Sequence, residues 1–321
     1  MSAMKLTDVH VHLAAFPVPG NGCLLSPRMR KSALFKMVAA SQGLPLRDAE
    51  LSNRAYVERL KAELAGSDSV GRAVILGMDG AYDESGDLDD EHTDFLISND
   101  YVFEAASFFP GRFLPGVSIN PQRAGAIDEL QRCSEKGAVL VKILANSQRF
   151  DPADRRYRPF YRAMARLRLP LLAHVGYEFS LIGRDQGAGD ADRLVPALEE
   201  GVVVIAAHGC STGLFFWEKN WPVARYLAAR FSNFYMDVSA MTLPNRVGGL
   251  MRLRRHPELF SRLLFGTDYP LPVFSYPCLL AGARQDFRQA RTASNRFDRQ
   301  ARVLGALGIR LEKDFTDIIK A

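Results

Sequence analysis

The sequence has few of the residues that build disulfide frameworks or structural zinc sites. It contains only 4 cysteines in 321 residues, and none of them forms a CxxC pair. Widely spaced cysteines of this kind indicate free thiols rather than a disulfide-stabilised fold. Because free thiols persist in reducing compartments, we expect a cytoplasmic protein.

Long apolar runs and blocks of like charge are also missing. No stretch approaches the roughly 18 consecutive apolar residues that a membrane-spanning helix needs, and no apolar signal core opens the chain. The net charge is only +5, and the basic residues are scattered. We therefore expect neither a membrane nor nucleic acid as a partner. The mild positive charge is compatible with a small anionic substrate.

Apolar segments separated by helical patterns predict the fold. The segments are rich in Val, Ile and Leu and do not alternate with polar residues, which is typical of parallel strands buried on both faces. Eight such segments predict a (β/α)₈ TIM barrel that forms a single domain over residues 1–321. A doubly wound sheet is the competing architecture, but no glycine-rich phosphate turn follows the first strand. The eight segments are 5–11, 73–76, 113–119, 138–144, 169–175, 202–207, 233–238 and 263–266.

A long insertion, residues 14–68, follows the first predicted strand. Connections between a strand and its helix usually have about 2–6 residues, so this one needs a role of its own. Helical spacing of apolar residues predicts one helix over 27–40 and another over 53–64. The insertion either only covers the barrel with helices, or serves as a lid or a subunit contact over the mouth of the functional site.

The sequence has only 6 histidines, and 4 of them lie at the ends of predicted strands. His10 and His12 end the first strand, and residues i and i+2 of a strand share a face. His174 and His208 end the fifth and sixth strands, and Asp268 follows the eighth. Because functional residues of TIM barrels lie at the C-terminal ends of the strands, these five side chains should converge. Imidazoles with a carboxylate suit Zn²⁺, Mn²⁺ or Fe²⁺.

This ordered set resembles the amidohydrolase superfamily. The HxH pair, the later histidines and the final aspartate occur in the same strand order. Local phrases are more similar to the amidohydrolase-related branch, which includes aminocarboxymuconate-semialdehyde decarboxylase. The phrases that carry this similarity are residues 113–117, 170–176, 233–239, 256–260 and 265–270.

The resemblance implies roles for the five side chains. One divalent metal ion, with zinc first and manganese or iron as alternatives, would be held by His10, His12, His174 and Asp268. His208 would hydrogen-bond the activated water and act as an acid or base, and Asp268 would also carry a proton.

Lys142, in the fourth predicted strand, bears on the number of metal ions. In two-metal members of the wider superfamily, a lysine at this place is carboxylated and bridges the metals. In the related branch a similar lysine is often unmodified, so we expect one metal, with Lys142 as a possible second-metal bridge. The structural alternative is a buried lysine that pairs with a carboxylate.

Substrate-binding candidates lie just beyond the strand ends. Arg149 and Arg184 follow the fourth and fifth strands and could bind a substrate carboxylate with two hydrogen bonds, or could be surface arginines. Tyr177 follows His174 closely and could line a pocket. Asp237 could either support a metal-bound imidazole or form an ion pair at the bottom of the barrel.

Together these observations predict a metal-dependent hydrolase. Metal-activated water would attack a C–N or C–O bond, as in an amide, lactone or ester, of a small carboxylate-bearing molecule. The alternative is a non-oxidative decarboxylase of an aromatic or unsaturated carboxylic acid in the same site, and a distant alternative is a non-catalytic binding barrel. The resemblance also implies a homo-oligomer, with a dimer as the expected form.

Overall fold

Eight parallel strands form the centre of the protein in a computed structural model that describes residues 5–183 and 185–319. Each strand pairs with the next one along the chain. The strands are β1 (Leu6–His12), β2 (Val70–Leu76), β3 (Phe113–Ser118), β4 (Leu140–Ile143), β5 (Leu171–Ala173), β6 (Val204–Ala206), β7 (Phe234–Asp237) and β8 (Leu263–Leu264).

Backbone hydrogen bonds join the last strand to the first. The N–H of Val9 donates to the carbonyl of Phe265 (3.0 Å), and the N–H of Asp268 donates to the carbonyl of His10 (2.9 Å). The result is a nearly closed TIM barrel with interleaved helices, so the predicted (β/α)₈ architecture is confirmed. Each of the eight predicted segments overlaps one of its strands, and the first two strands extend beyond the predicted bounds.

Helices alternate with the strands and pack against their outer faces. In the described part of the chain, no helix is both long and apolar enough to cross a membrane. The helices are α1 (Pro27–Lys31), α2 (Ala33–Gln42), α3 (Ala49–Ala65), α4 (Asn99–Ser107), α5 (Ala126–Glu135), α6 (Ala145–Gln148), α7 (Arg158–Arg166), α8 (Val195–Glu199), α9 (Trp221–Arg230), α10 (Val247–Leu253), α11 (Pro277–Leu280), α12 (Arg284–Thr292), α13 (Arg296–Ala306) and α14 (Phe315–Ile318).

The N-terminal end of the barrel is closed by the chain's last helix. Phe315 and Ile318 of α14 belong to the apolar cluster that fills the barrel interior. The carboxylate of Asp314 accepts hydrogen bonds from the N–H (2.7 Å) and the hydroxyl (2.8 Å) of Thr7. With this end filled, the opposite end, where the strands' C-termini lie, is left to carry the functional site.

The insertion after β1 is helical, but its first predicted helix is wrong in detail. Residues 27–40 form two helices, α1 and α2, that meet at Ser32. Ser32 has extended backbone angles, and its hydroxyl accepts a hydrogen bond from the N–H of Phe35 (3.0 Å). A serine that caps a new helix competes with continuation of the old one, which explains the break.

Asp94 joins three segments at the C-terminal end of the barrel. It lies before α4, which begins at Asn99. Its buried carboxylate accepts hydrogen bonds from the Ser26 hydroxyl (2.9 Å) and the N–H of Ile182 (2.8 Å), and pairs with the guanidinium of Arg28. Asp94 therefore ties the insertion to the connections that follow β2 and β5.

We expect the Asp94→Ala variant to loosen the insertion. Hydrogen bonds to a charged group contribute about 1.5–3 kcal/mol each, and this change removes several of them at once. Limited proteolysis should cut residues 26–42 at least about tenfold faster than in the parent protein. Asp100→Ala is the matched control, because Asp100 is exposed and its ion pairs with the described residues are those to Arg132 and Lys136. Equal cleavage of both variants would contradict the tie.

Candidate metal centre

The five side chains predicted from strand ends lie together at the C-terminal end of the barrel. An extra residue in β1, between Asp8 and Val11, determines which way its side chains point. Val9 packs in the interior cluster, whereas Val11 packs outside the barrel. This bulge turns His10 and His12 towards the interior, a usual effect of bulges beside functional sites.

Three of these residues form a compact group of donor atoms. The Nε2 atoms of His10 and His12 are 3.2 Å apart, and the Oδ1 atom of Asp268 lies 3.4 Å from the first and 3.1 Å from the second. Ligands about 2.1 Å from a tetrahedral zinc ion are separated by roughly 3.4 Å. The donor types and their spacing therefore fit one divalent metal ion.

His174 lies beside this group with one nitrogen free. Its Nδ1 atom is 3.2 Å from Nε2 of His208, but its buried Nε2 atom has no hydrogen-bond partner among the described residues. Neither of its nitrogens lies within 4.8 Å of all three donors of the compact group. A buried polar atom without a partner is costly, so a ligand for this nitrogen is expected.

Asp237 determines which ring nitrogen of a neighbouring imidazole carries the proton. Its Oδ2 atom lies 2.8 Å from Nδ1 of His10, so the carboxylate accepts that N–H and leaves the lone pair of Nε2 free for a metal. Its Oδ1 atom accepts hydrogen bonds from the N–H of His208 (2.9 Å) and from Ser239. Of the two roles considered for Asp237, the structure shows support of an imidazole.

Ser239 extends this pattern to the other two histidines. Its hydroxyl donates to Asp237, so its oxygen accepts from Nδ1 of His208 at 2.9 Å. Nε2 of His208 is then an acceptor for the N–H at Nδ1 of His174. The hydrogen-bond network thereby assigns a free lone pair to Nε2 of His174, the atom without a partner.

Burial controls the charges of these groups. Burial lowers the pKa of His10, His174 and His208, and the positive charge of Lys142 or Arg246 lowers these pKa values further. The imidazoles are therefore neutral near pH 7, as metal ligands must be. Burial would raise the pKa of Asp268, but His10 and His12 hold it well below its usual range, so Asp268 is a carboxylate.

Two of the five residues have left-handed backbone conformations. The φ angles are 60° at His208 and 64° at Asp268, which is uncommon for residues other than glycine. Asp8 helps to hold one of these turns, because its carboxylate accepts from the N–H of His10 (2.9 Å) and the hydroxyl of Thr267 (2.6 Å). Strained backbone of this kind persists only where the surroundings fix it.

Lys142 is fully buried on β4, and its Nζ atom lies 3.3 Å from Nε2 of His10. Burial lowers its pKa to about 8 against the opposing effect of Asp268 and Asp237. Among the described residues, no carboxylate oxygen lies within 4.0 Å of Nζ, so Lys142 has no direct ion pair. Its position beside the donor group keeps a second-metal bridge open as a prediction.

A cavity of about 510 Å³ opens above the donor group. His12, His174, His208 and Asp268 lie at its base, and apolar side chains of the insertion and the barrel loops form its walls. Tyr177 is among the lining residues, and its role in substrate binding stays a prediction. Arg149 lies after α6 and is not among the lining residues, and Arg184 lies outside the described residues.

Arg246, in the connection after β7, is a lining residue that the sequence reading missed. It is buried, and its Nη1 atom donates to the carbonyls of Ser211 (2.9 Å) and Val175 (3.3 Å). Burial lowers its pKa, and no carboxylate oxygen of the described chain lies within 4.0 Å of its guanidinium. The available signal was its position beyond a strand end, the same signal that selected Arg149 and Arg184.

The fold and the site together define a class of protein. It is a TIM barrel with a candidate metal site, formed by histidines and an aspartate, at the C-terminal ends of its strands. A family model described as amidohydrolase matches residues 7–302. The chain therefore belongs to the amidohydrolase family. No curated protein matches the sequence.

Solved structures share the fold at low sequence identity. An uncharacterised TIM-barrel protein from Bordetella bronchiseptica is 19% identical, with a TM-score of 0.59 over 95% of this chain and 100% of its own. The 5-carboxyvanillate decarboxylase of Sphingomonas paucimobilis is 17% identical, with a TM-score of 0.54 over 95% and 97%. A proposed 2-pyrone-4,6-dicarboxylic acid hydrolase from Pseudomonas putida is 13% identical, with a TM-score of 0.51 over 96% and 99%.

Elemental analysis of the purified, unsupplemented protein should find about one equivalent of divalent metal per chain. The His10→Ala/His12→Ala variant removes two donors of the compact group and should lose the metal. Lys142→Met should keep it if Lys142 is not a ligand. About two equivalents in the parent protein, reduced by Lys142→Met, would instead make Lys142 a bridge between two metals.

Replacing Asp237 by asparagine should weaken metal binding without removing any donor of the compact group. Loss of a carboxylate that orients a ligand imidazole typically costs about 10–100-fold in metal affinity. A competition titration with a chromogenic chelator measures this change. Asp79→Asn is the control, because Asp79 is a buried carboxylate that does not line the cavity. Equal losses in the two variants would argue for general destabilisation.

Proposed function

We propose that the protein is a metal-dependent, non-oxidative decarboxylase of an aromatic or unsaturated carboxylic acid. The observation that carries the proposal is Arg246, a buried guanidinium without a carboxylate partner in the described chain. It faces the same cavity as the histidines and Asp268. The sequence favoured hydrolysis and gave decarboxylation as the alternative, and this cavity supports the alternative better.

The argument begins with the cost of burying a cation. An unpaired charge in a protein interior is unfavourable by several kcal/mol, so a buried guanidinium indicates an anion in the working state. The two carbonyls that bind Nη1 fix the side chain, and the carboxylates of Asp268, Glu178 and Glu218 offset its charge only from beyond 4.0 Å. A planar guanidinium matches a carboxylate, which can accept two parallel hydrogen bonds from it.

The walls of the cavity favour loss of carbon dioxide over attack by water. Leu34, Phe35, Leu243, Leu271 and Phe274 are among its lining residues, and such side chains exclude water when a substrate enters. Loss of CO₂ breaks the bond between the carboxylate and its carbon, and that carbon then takes up a proton. The reaction consumes no water, oxidant or reductant, so a dry cavity serves it.

The residues at the base would divide the work. When bound, a divalent metal supplies a Lewis acid that stabilises negative charge on substrate oxygen. His10, His12, His174 and Asp268 would hold it. Arg246 would orient the carboxylate. A proton taken up from solvent would reach the carbon that loses CO₂ through Asp268 and His208, which both border the cavity and neither of which is a protonated acid at rest.

Similar barrels whose names state an activity support the proposal without establishing it. They include 5-carboxyvanillate decarboxylase and 2,6-dihydroxybenzoate decarboxylase, whose names give aromatic acids as substrates. At this level of identity the likeness shows the fold alone. It supports the view that the fold can accommodate decarboxylation of an aromatic acid.

Hydrolysis is the second candidate, and the base of the cavity favours it. A metal with a neighbouring imidazole and carboxylate is also the arrangement that activates water for attack on a lactone or amide. The proposed 2-pyrone-4,6-dicarboxylic acid hydrolase shares the fold. The two reactions differ in their products, because only decarboxylation releases CO₂.

The test is CO₂ release from a panel of aromatic carboxylic acids, with lactones and amides of the same acids beside them. We expect CO₂ from at least one acid in metal-loaded protein. Arg246→Met should reduce kcat/KM at least about 30-fold, because truncating one partner of a buried charge pair costs about 2 kcal/mol or more. Arg255→Met, at an exposed arginine, is the control. Ring opening or amide cleavage without CO₂ would replace the proposal by hydrolysis.

A further inference from the structure

Exclusion of water does not by itself account for the apolar wall that α2 contributes to the cavity. Leu34 and Phe35 precede Val38 by four and three residues, so all three lie on one side of α2. All three line the cavity and are partly exposed. Apolar helical faces of globular proteins normally pack against a core, and although Val38 also touches the core, this face borders the cavity.

The wall is fixed from behind rather than loosely placed. The ring of Phe35 packs edge-on against Phe16, with centroids 5.8 Å apart, and the guanidinium of Arg30 lies over Phe16 at 5.3 Å. The contacts of Asp94 hold α1 and the connection after β5 in place at the cavity mouth. The cavity is therefore preformed, as binding sites for small molecules usually are.

The size of the cavity exceeds what a single ring needs. About 510 Å³ falls within the range of pockets that enclose drug-sized ligands, roughly 300–1,000 Å³. The polar lining residues include Arg246, the histidines and Glu178, whereas α2 contributes only apolar side chains. A single-ring acid bound at the base would leave the face of α2 in contact with water.

We propose that the face formed by Leu34, Phe35 and Val38 is the specificity-determining wall, and that it binds a second ring or a branched hydrocarbon group of the substrate. The assignment of a carboxylate to this ligand rests on the proposed function, whereas the assignment of an apolar group to its other end rests on the α2 wall itself. Burial of a second ring removes apolar area from water on both surfaces, which should strengthen binding at least about tenfold.

The experiment measures affinity rather than turnover. Isothermal titration of the metal-loaded protein with benzoate and with biphenyl-4-carboxylate gives the ratio of their dissociation constants. We expect the biphenyl acid to bind at least about tenfold more tightly to the parent protein. Val38→Trp fills the space of the second ring and should bring the ratio close to one. Leu34→Trp, one turn earlier, repeats the test if Val38→Trp fails to fold.

Ala40→Trp is the matched control, because Ala40 is exposed on α2 and does not line the cavity. It should leave the ratio as in the parent protein. A ratio near one in the parent protein, or an equal fall in Ala40→Trp, would overturn the proposal.

The outcome also separates this inference from the proposed function. A preference for the biphenyl acid in a protein that releases no CO₂ would support the wall and count against decarboxylation. Release of CO₂ by a protein that binds both acids equally would do the reverse.

Discussion

The site depends on the hydrogen bonds that the carboxylate of Asp237 accepts. This carboxylate fixes one imidazole directly, through Nδ1 of His10, and two more through Ser239 and His208. Because each acceptor determines which nitrogen of the next ring is protonated, one buried charge leaves free lone pairs on Nε2 of His10 and His174. Burial alone would raise the pKa of Asp237, but the neighbouring His10 and these hydrogen bonds keep it below its usual value.

The junction between the last strand and the first gives the site its other half. Asp268 reaches the donor group only because its backbone turns into the left-handed region, and its N–H bonds to the carbonyl of His10. Asp8 holds the same junction through His10 and Thr267. Residues about 260 positions apart thus share one hydrogen-bonded network. The barrel sustains the strain at these turns, because each of its strands is hydrogen-bonded to its neighbours.

Sequence reasoning could reach the fold and the positions of the five side chains because both follow from local patterns. Apolar runs predict strands, and a barrel brings strand ends together. The direction of His10 and His12 depends on a bulge that no local pattern predicts. Arg246 and Arg149 both follow strand ends, but Arg246 is buried and lines the cavity, which is a property of three dimensions. The break at Ser32 depended on the choice between helix continuation and capping, which differ little in free energy.

The base of the cavity and its α2 wall depend on different kinds of interaction. At the base, each donor must be held by further hydrogen bonds, and a change in any one leaves a buried polar group without a partner, at about 1–3 kcal/mol. On the α2 wall, the proposed binding would depend on apolar area and volume, and exchange of one apolar side chain for another of similar size usually costs less than about 1.5 kcal/mol. The barrel therefore fixes the donor groups at the base, while an insertion outside it can vary the wall of the cavity. Such a division would let one barrel accept several substrates without rebuilding the base of the site.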